Sequence, residues 1–466
     1  MIGRLHRLPE VGRALRAGRQ LAAHEDWSIE RLRAHQRKRL LAIVRHAAAS
    51  SPYYRERFAG IELSEDLDLA ALPTLDKPTM LENFDELVTD RRLTLARVEA
   101  HLGELERAGP RADPKLLGEY RVVASGGTSG RRGVFVYGLR DWTEALGGAA
   151  RVSNAYLGMA PRLPRRRLTT IFADSPLHVS GRAMRSVDVG MYRLQRLDAR
   201  IALDELVEAL NRFRPESLNA YPSIAALLAE RQLAGELRIS PRLVSTSGEV
   251  RTTYMEEKMA EAWGRAPFDF YNASESGAPL AAECDRHAGM HLFGDLFQIE
   301  VVGDDHQPVA AGEAGSRLLL TNLLNRTQPL IRYELNDLVT VSPAPCPCGR
   351  PFPLVESVAG RSDDVLDLPR RAGGTIKVHP LVLHSPLTGI AGLRGYRILY
   401  SGGELRVDAV LAAGDEKQAG DEIAVLLDAA LTEWGAQAPP IRVASVPDIP
   451  RHSRSGKQKA IEIDAG

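Results

Sequence analysis

Three cysteines among 466 residues are too few for a disulfide scaffold, and their odd number argues against an oxidised, secreted protein. A net charge of either sign is missing as well. The 60 Lys plus Arg offset the 60 Asp plus Glu, so no overall field draws the chain to nucleic acid or to an anionic membrane, and any useful charge must act locally. Apolar runs are short, as near Leu40 to Val44, and none could span a bilayer. The opening MIGRLHRLPEVGRALRAGRQ has arginines without the continuous apolar stretch of a secretory signal, which makes a cytoplasmic location the expectation. Repeats and low-complexity segments are absent too. With 44% hydrophobic and 26% charged residues, the chain can bury a large core in two or more domains, and a small molecule is the expected partner.

Between Trp27 and Ala49 the positions Leu32, Leu40, Leu41 and Val44 recur at helical spacing, and Ser50-Ser51-Pro52 ends the run. Residues 1 to 25 read as a second, basic helix with a solvated face. Near residue 120 the pattern turns to strand, glycine loop, strand: Arg121 to Ala124, then SGGTSGRRG, then Val134 to Tyr137. Helices near 141–157, 203–213, 222–233 and 252–263 alternate with strands near 168–173 and 243–246, which predicts an α/β body with parallel strands. From Phe297 the runs FQIEVV, SRLLLTNL and PLIRYEL predict a β-rich subdomain. Beyond Gly360 a hairpin through Ser401 to Glu404, a helix from Ile423 to Trp434 and the strand IRVASV predict a small α+β unit.

The loop Ser125-Gly126-Gly127-Thr128-Ser129-Gly130-Arg131-Arg132-Gly133 packs glycines, hydroxyls and arginines into one turn. Glycines let backbone amides approach an anion, and hydroxyls and guanidinium groups add donors. No Gly-Lys-Ser/Thr follows at P-loop spacing, so on these residues a plain hairpin turn and a phosphate cradle both stand. The segment resembles the phosphate-binding loop of the acyl-adenylate-forming enzymes, Ser-Ser-Gly-Thr-Thr-Gly-Lys-Pro-Thr. Ser125, Gly127, Thr128 and Gly130 are identical, Ser129 replaces Thr, and Arg131 and Arg132 replace Lys and Pro.

Further segments fit that superfamily in order. Tyr271-Asn272-Ala273-Ser274-Glu275 is similar to its Tyr-Gly-x-Ser-Glu motif, with Asn272 standing for glycine as a residue tolerant of positive φ. Tyr333 to Asp337 matches Tyr-x-x-x-Asp, Gly360-Arg361-Ser362-Asp363-Asp364 matches the Gly-Arg-x-Asp-Asp hinge, and PRHSRSGKQK, Pro450 to Lys459, resembles the C-terminal Pro…Gly-Lys motif. Ser51 to Arg55, Leu72 to Lys77 and the Ser247-Gly248-Glu249 turn narrow the likeness to the phenylacetate-CoA ligase and capsule-synthesis-type branch. The likeness is poorer over residues 366–445. Only eight of the 60 basic residues are lysines, so a lysine at 457 fits a site that wants a flexible point charge, and chance composition is the alternative.

The resemblance implies an α/β fold with a large N-terminal adenylate-forming domain, residues 1–362, of parallel sheets flanked by helices plus a β-rich subdomain. A small mobile C-terminal α+β domain, residues 363–466, would turn on a hinge at Asp363. It also implies roles. The loop, including Ser125, Gly127, Thr128, Ser129, Gly130 and Arg131, would hold the ATP phosphates; Glu275 and Thr128 would hold magnesium; Tyr271, Asn272 and Ser274 would border the adenine, with Gly248 and Glu249 nearby. Asp337 and Arg361 would take the ribose, and Lys457 the substrate carboxylate and α-phosphate. The carboxylic acid would sit between the helix starting at Ala220 to Ser223 and the Tyr271 to Gly277 turn; His178 is read first as a surface-loop histidine, with reach into this pocket as the alternative.

All three cysteines fall into one Cys284, His291, Cys346, Cys348 set. Such ligands suit a closed tetrahedral zinc site of structural type, while three buried thiols beside a satisfied histidine remain the alternative. Similar sets in relatives of the branch favour zinc. The implied activity is ATP-dependent carboxylate activation through acyl-AMP with transfer to coenzyme A. An amine or a carrier-protein thiol is the alternative acceptor, and a homodimer stays open. A catalytically silent nucleotide- or zinc-binding scaffold is the reading from another class, and the joint presence of Glu275, Asp337, Arg361 and Lys457 argues against it.

Overall fold

The structure is a computed structural model that describes residues 8–109, 114–125, 132–361, 364–378, 380–387, 390, 392–411, 416–452 and 456–463. The Ser28 hydroxyl accepts from the Arg31 amide at 3.3 Å and caps the helix Ile29–Ser50, which buries Leu32, Leu40, Leu41, Ile43, Val44 and Ala47 as its spacing predicts. Ser51 stops it, its hydroxyl accepting from Tyr54 N at 3.4 Å to begin Pro52–Arg57. The basic segment before it forms Leu8–Ala22. Arg13, Arg16 and Arg19 stay exposed, while Val11, Ala14, Gly18 and Leu21 are buried against the helix Leu139–Arg151.

A nine-stranded sheet forms the centre. Its spatial order is Asp337–Val341, Leu354–Arg361, Met290–Leu292, Pro279–Glu283, Phe268–Asn272, Leu243–Ser247, Ser217–Ala220, Arg167–Phe172, Arg193–Asp198. The last five strands run parallel and the first five are joined antiparallel. Helices Leu203–Phe213, Pro222–Leu233 and Thr253–Trp263 cover the parallel half around Ile171, Leu210, Leu218, Ile224, Leu228 and Met259. The alternating α/β pattern therefore folds as the sequence predicts. Beside it stand the antiparallel pair Arg121–Ala124 and Val134–Tyr137 and the three-stranded sheet Phe297–Val302, Arg317–Asn322, Tyr333–Leu335.

One expectation needs correction, and not every strand was legible. PLIRYEL is strand only over Tyr333–Leu335, because Arg332 takes φ +49°. Its guanidinium is drawn to Glu300 at 3.0 Å and donates to Leu72 O at 2.6 Å, so side-chain bonding to another segment overrides the strand pattern. The strand Arg193–Asp198 was not legible, since this edge strand reads RLQRLD and buries neither face fully.

Residues 366–461 build a separate hydrophobic core, including Leu366, Leu383, Ile398, Leu405, Val407, Ile423, Leu427 and Ile461. A four-stranded sheet, Ile441–Ser445, Glu404–Leu411, Leu393–Ser401, Ile461–Ile463, carries the helix Glu416–Glu433. Among the described residues no helix is long and apolar enough to cross a membrane.

Candidate active site

Tyr271 is the penultimate residue of the strand Phe268–Asn272, and the chain then turns through Ala273 to Gly277. That turn is gripped from beneath. Tyr137 Oη donates to Ser274 O at 3.0 Å with Glu275 O 3.2 Å away, and Asn322 Nδ2 reaches the carbonyls of Glu275 and Ser276 at 3.0 and 3.2 Å. Gly277 has φ +71°, and a Cβ there would lie 2.7 Å from the Tyr137 ring, so both conformation and space require glycine. Asn272, by contrast, is exposed and extended at the strand end, not at positive φ; the expected reason for Asn in place of Gly does not apply.

Asp337 and Arg361 face one another as register partners on adjacent antiparallel strands. Tyr271 Oη donates to Asp337 Oδ2 at 2.7 Å, and Arg361 Nε lies 3.4 Å from Asp337 Oδ1. This pairing fixes the Tyr271 ring and raises the pKa of Arg361, chiefly through Asp337. Burial first, then the Asp337 charge, pushes the Glu275 carboxyl up, while Arg361 and Lys77 pull it down. Lys77, noted in the sequence only as part of a landmark, is thus a neighbour of the acidic centre.

Lys457 arrives from the far end of the chain. A Cβ on Gly248, at φ +87°, would lie 3.4 Å from Lys457 Nζ, and the ammonium sits 5.9 Å from the Tyr221 ring centroid. Burial lowers the Lys457 pKa and Arg361 adds to the shift, whereas Glu249, Asp337 and Glu275 oppose it. The same cation is felt by His178, which burial, Lys457, Arg132 and Arg200 push down to about 4. His178 therefore lines the cleft instead of a free surface loop.

Glu249 is engaged on both oxygens. Oε2 accepts from Ser223 N at 3.2 Å and Ser223 Oγ at 2.6 Å, and Oε1 accepts from Gln458 N at 2.8 Å. The structure thus brings Tyr271, Ser274, Glu275, Asp337, Arg361, Gly248, Glu249 and Lys457 around one cleft. Ser125 closes the neck of the glycine loop, its hydroxyl accepting from Gly133 N at 2.8 Å, while Arg132 pairs with Glu106 at 2.6 Å. Gly127, Thr128, Ser129, Gly130, Arg131 and Asp363 lie outside the described residues. Sequence reasoning missed Tyr137 and Asn322, whose work is done beneath the motif from distant strands, and it gave no role to Ser223 and Arg451, although both lie in segments it singled out.

A second cluster lies in the antiparallel half of the sheet. The ligand atoms of Cys284, His291, Cys346 and Cys348 are all within 4.8 Å of one another, with Cys284 Sγ to Cys346 Sγ 3.8 Å and Cys348 Sγ to His291 Nε2 3.3 Å. A tetrahedron with metal–sulfur bonds of about 2.3 Å has edges of roughly 3.8 Å, so the residues fit a closed zinc site. Burial pushes the Cys284 thiol up to about 12 and His291 down to about 4. Around the cluster, Arg350 lies 3.0 Å from Glu25 and stacks on Tyr156, and Tyr156 donates to Glu25 at 2.7 Å. Behind these, the fully buried Arg151 and Asp295 pair at 2.7 Å, with His24 on the same Asp295 oxygen.

The chain matches no protein-family model. It is 26% identical over 367 residues to the phenylacetate-coenzyme A ligase of Escherichia coli K12, across 73% of this chain and 74% of that one. Among solved structures, 2-hydroxyisobutyryl-CoA ligase in the postadenylation state with R3-HIB-AMP superposes with a TM-score of 0.71 at 20% identity, covering 95% of this chain and 91% of that one. The same ligase in the thioesterification state, with 2-HIB-AMP and CoA, gives 0.55 at 21% identity over 94% and 91%. Shared coverage with a lower score means that the chain is arranged more as in the former. The chain is thus similar to phenylacetate-coenzyme A ligases in sequence and shares the fold of acyl-adenylate-forming CoA ligases.

Proposed function

We propose that this chain activates a small carboxylic acid with ATP and passes the acyl group to coenzyme A. In the first step a carboxylate oxygen attacks the α-phosphorus, the bond to the β-phosphate oxygen breaks, and pyrophosphate leaves. In the second the thiol sulfur attacks the acyl carbon, the carbon–oxygen bond to AMP breaks, and AMP departs with that electron pair while the thiol proton is lost to solvent. Such chemistry asks for positioning and charge neutralisation. The observation that carries the reading is the arrival of Lys457 against Gly248 and Tyr221, within electrostatic reach of Arg361, Asp337 and Glu275. Its ammonium would face the negative charge that develops between carboxylate and α-phosphate; the Tyr271 ring, tethered through Asp337, would flank the adenine; Asp337 and Arg361 would meet the ribose.

Magnesium suits Glu275, because burial and Asp337 raise the cost of its bare charge; a divalent cation there would neutralise phosphate oxygens. Zinc suits the Cys284, His291, Cys346 and Cys348 cluster, where four protein ligands leave no position for substrate, so its role would be structural. The domain boundary is proposed at residues 362 and 363, just before the separate core that starts at Leu366. Exchange of labelled pyrophosphate into ATP across a panel of aliphatic and aromatic acids tests the reading. At least one acid should support it, and uniform failure overturns it. Repeating the positive reaction with coenzyme A, amines and a carrier-protein thiol identifies the acceptor.

A further inference from the structure

Lys457 can serve adenylation only while its segment stays in the cleft, and what keeps it there is a short chain of polar bonds across two lobes. Arg451 Nη1 donates to Ser223 Oγ at 2.9 Å and to Gly456 O at 3.2 Å, the carbonyl next to Lys457. Ser223 Oγ in turn donates to Glu249 Oε2 at 2.6 Å, and the opposite oxygen of Glu249 takes the Gln458 amide, on the other side of Lys457, at 2.8 Å. Residues 456 and 458 are thereby both tied to the wall that starts the helix Pro222–Leu233. The Glu249 side chain is only 6% exposed and the Arg451 side chain 17%, so these bonds are sheltered from competing water.

We infer that Arg451, Ser223 and Glu249 are a latch of positioning residues that sets how much of the protein holds Lys457 in the adenylation position. The inference rests on the function proposed above for its catalytic consequence, though not for its existence. None of the three needs to touch the reacting atoms. Every donor and acceptor in the chain has a direction, Arg451 to Ser223 to Glu249 and Gln458 to Glu249, so removing one link weakens the rest. If the segment swings away, Glu249 loses the Gln458 amide and the Arg451 guanidinium, 3.8 Å off, while keeping Ser223 N. Among the described residues, these charge-assisted bonds are thus part of what opposes release of Lys457, and breaking them shifts the population toward the released state.

The test uses Arg451→Ala, Arg451→Lys and Ser223→Ala in the full chain. Pyrophosphate exchange with the best panel acid should fall about tenfold or more in Arg451→Ala, while thioester formation from the corresponding supplied acyl-AMP keeps its wild-type rate. Arg451→Lys should recover part of the exchange. Equal loss in both half-reactions, or unchanged exchange, overturns the latch. Deuterium uptake over residues 449–463 gives a reading that needs no substrate: both alanine variants should take up deuterium faster there and nowhere else. Unchanged uptake overturns the latch even if no acid supports exchange, the separate result that would sink the proposed function.

Discussion

The cleft around Lys457 and the cluster around Cys346 are put together in opposite ways. The cleft joins Tyr271, Glu275 and Asp337 to a segment that lies past residue 450, and its lysine is held by the bonds of Arg451, Ser223, Glu249 and Gln458. The cluster takes its four ligands from residues 284 to 348 of a single lobe and backs them with buried ion pairs at Arg151, Asp295, Glu25 and Arg350. A site assembled across lobes can be opened by losing a few polar bonds. A site ringed by buried charges cannot shed one partner without leaving an uncompensated ion, and so tends to be permanent.

The sharpest break of that contrast is Lys457→Ala. Pyrophosphate exchange should fall on the order of 10²–10³-fold, the cost of losing a preorganised cation at a developing charge, while thioester formation from supplied acyl-AMP and the thermal midpoint stay near wild type. Cys346→Ser should do the reverse. Metal analysis should drop from one zinc equivalent to well below it, and stability should fall by about 2–4 kcal/mol, read from denaturant unfolding. A full zinc equivalent in that variant would show that the cluster is not the site.

Two smaller changes probe the ground between the regions. Gly277→Ala should cost about 1–3 kcal/mol through its positive φ and the Tyr137 contact, and should weaken adenylation by shifting Glu275. Asp269, on the strand Phe268–Asn272, is pushed from 3.8 up to about 7 by burial, against the pull of Arg251, which also binds Glu283 at 2.7 Å. A raised carboxyl favours the folded state most at low pH, and that contribution is lost as pH climbs from about 4 through about 7. Asp269→Asn should flatten the fall of the thermal midpoint across that window, and an unchanged slope would contradict the shift.

Much of this was legible along the chain because local pattern and tertiary environment agreed. The helices Leu203–Phe213 and Pro222–Leu233 begin and end where periodicity places them, and the hydrophobic runs 297–302 and 404–411 are strands. Tyr271, Glu275, Asp337, Arg361 and Lys457 were all nameable in advance, since each lies in a short motif. What escaped was set by partners remote in sequence. Arg332 breaks a strand because Glu300 and Leu72 O capture its side chain; His178 lines a cleft because Lys457 and Arg132 come to it.

By itself, the sequence determined most of the elements that form and nominated the side chains expected to carry chemistry, because helix caps, apolar periodicity and motif spacing act within a few residues. Three cysteines and one histidine were likewise nameable as a set. Only the tertiary structure decided the geometry: the Asp337 to Arg361 register, the grip of Tyr137 and Asn322 under the turn, the tetrahedral spacing of Cys284, His291, Cys346 and Cys348, and the bonds that flank Lys457. Each joins segments separated by scores of residues, and hydrogen bonds over about 3 Å depend on packing that no local rule encodes.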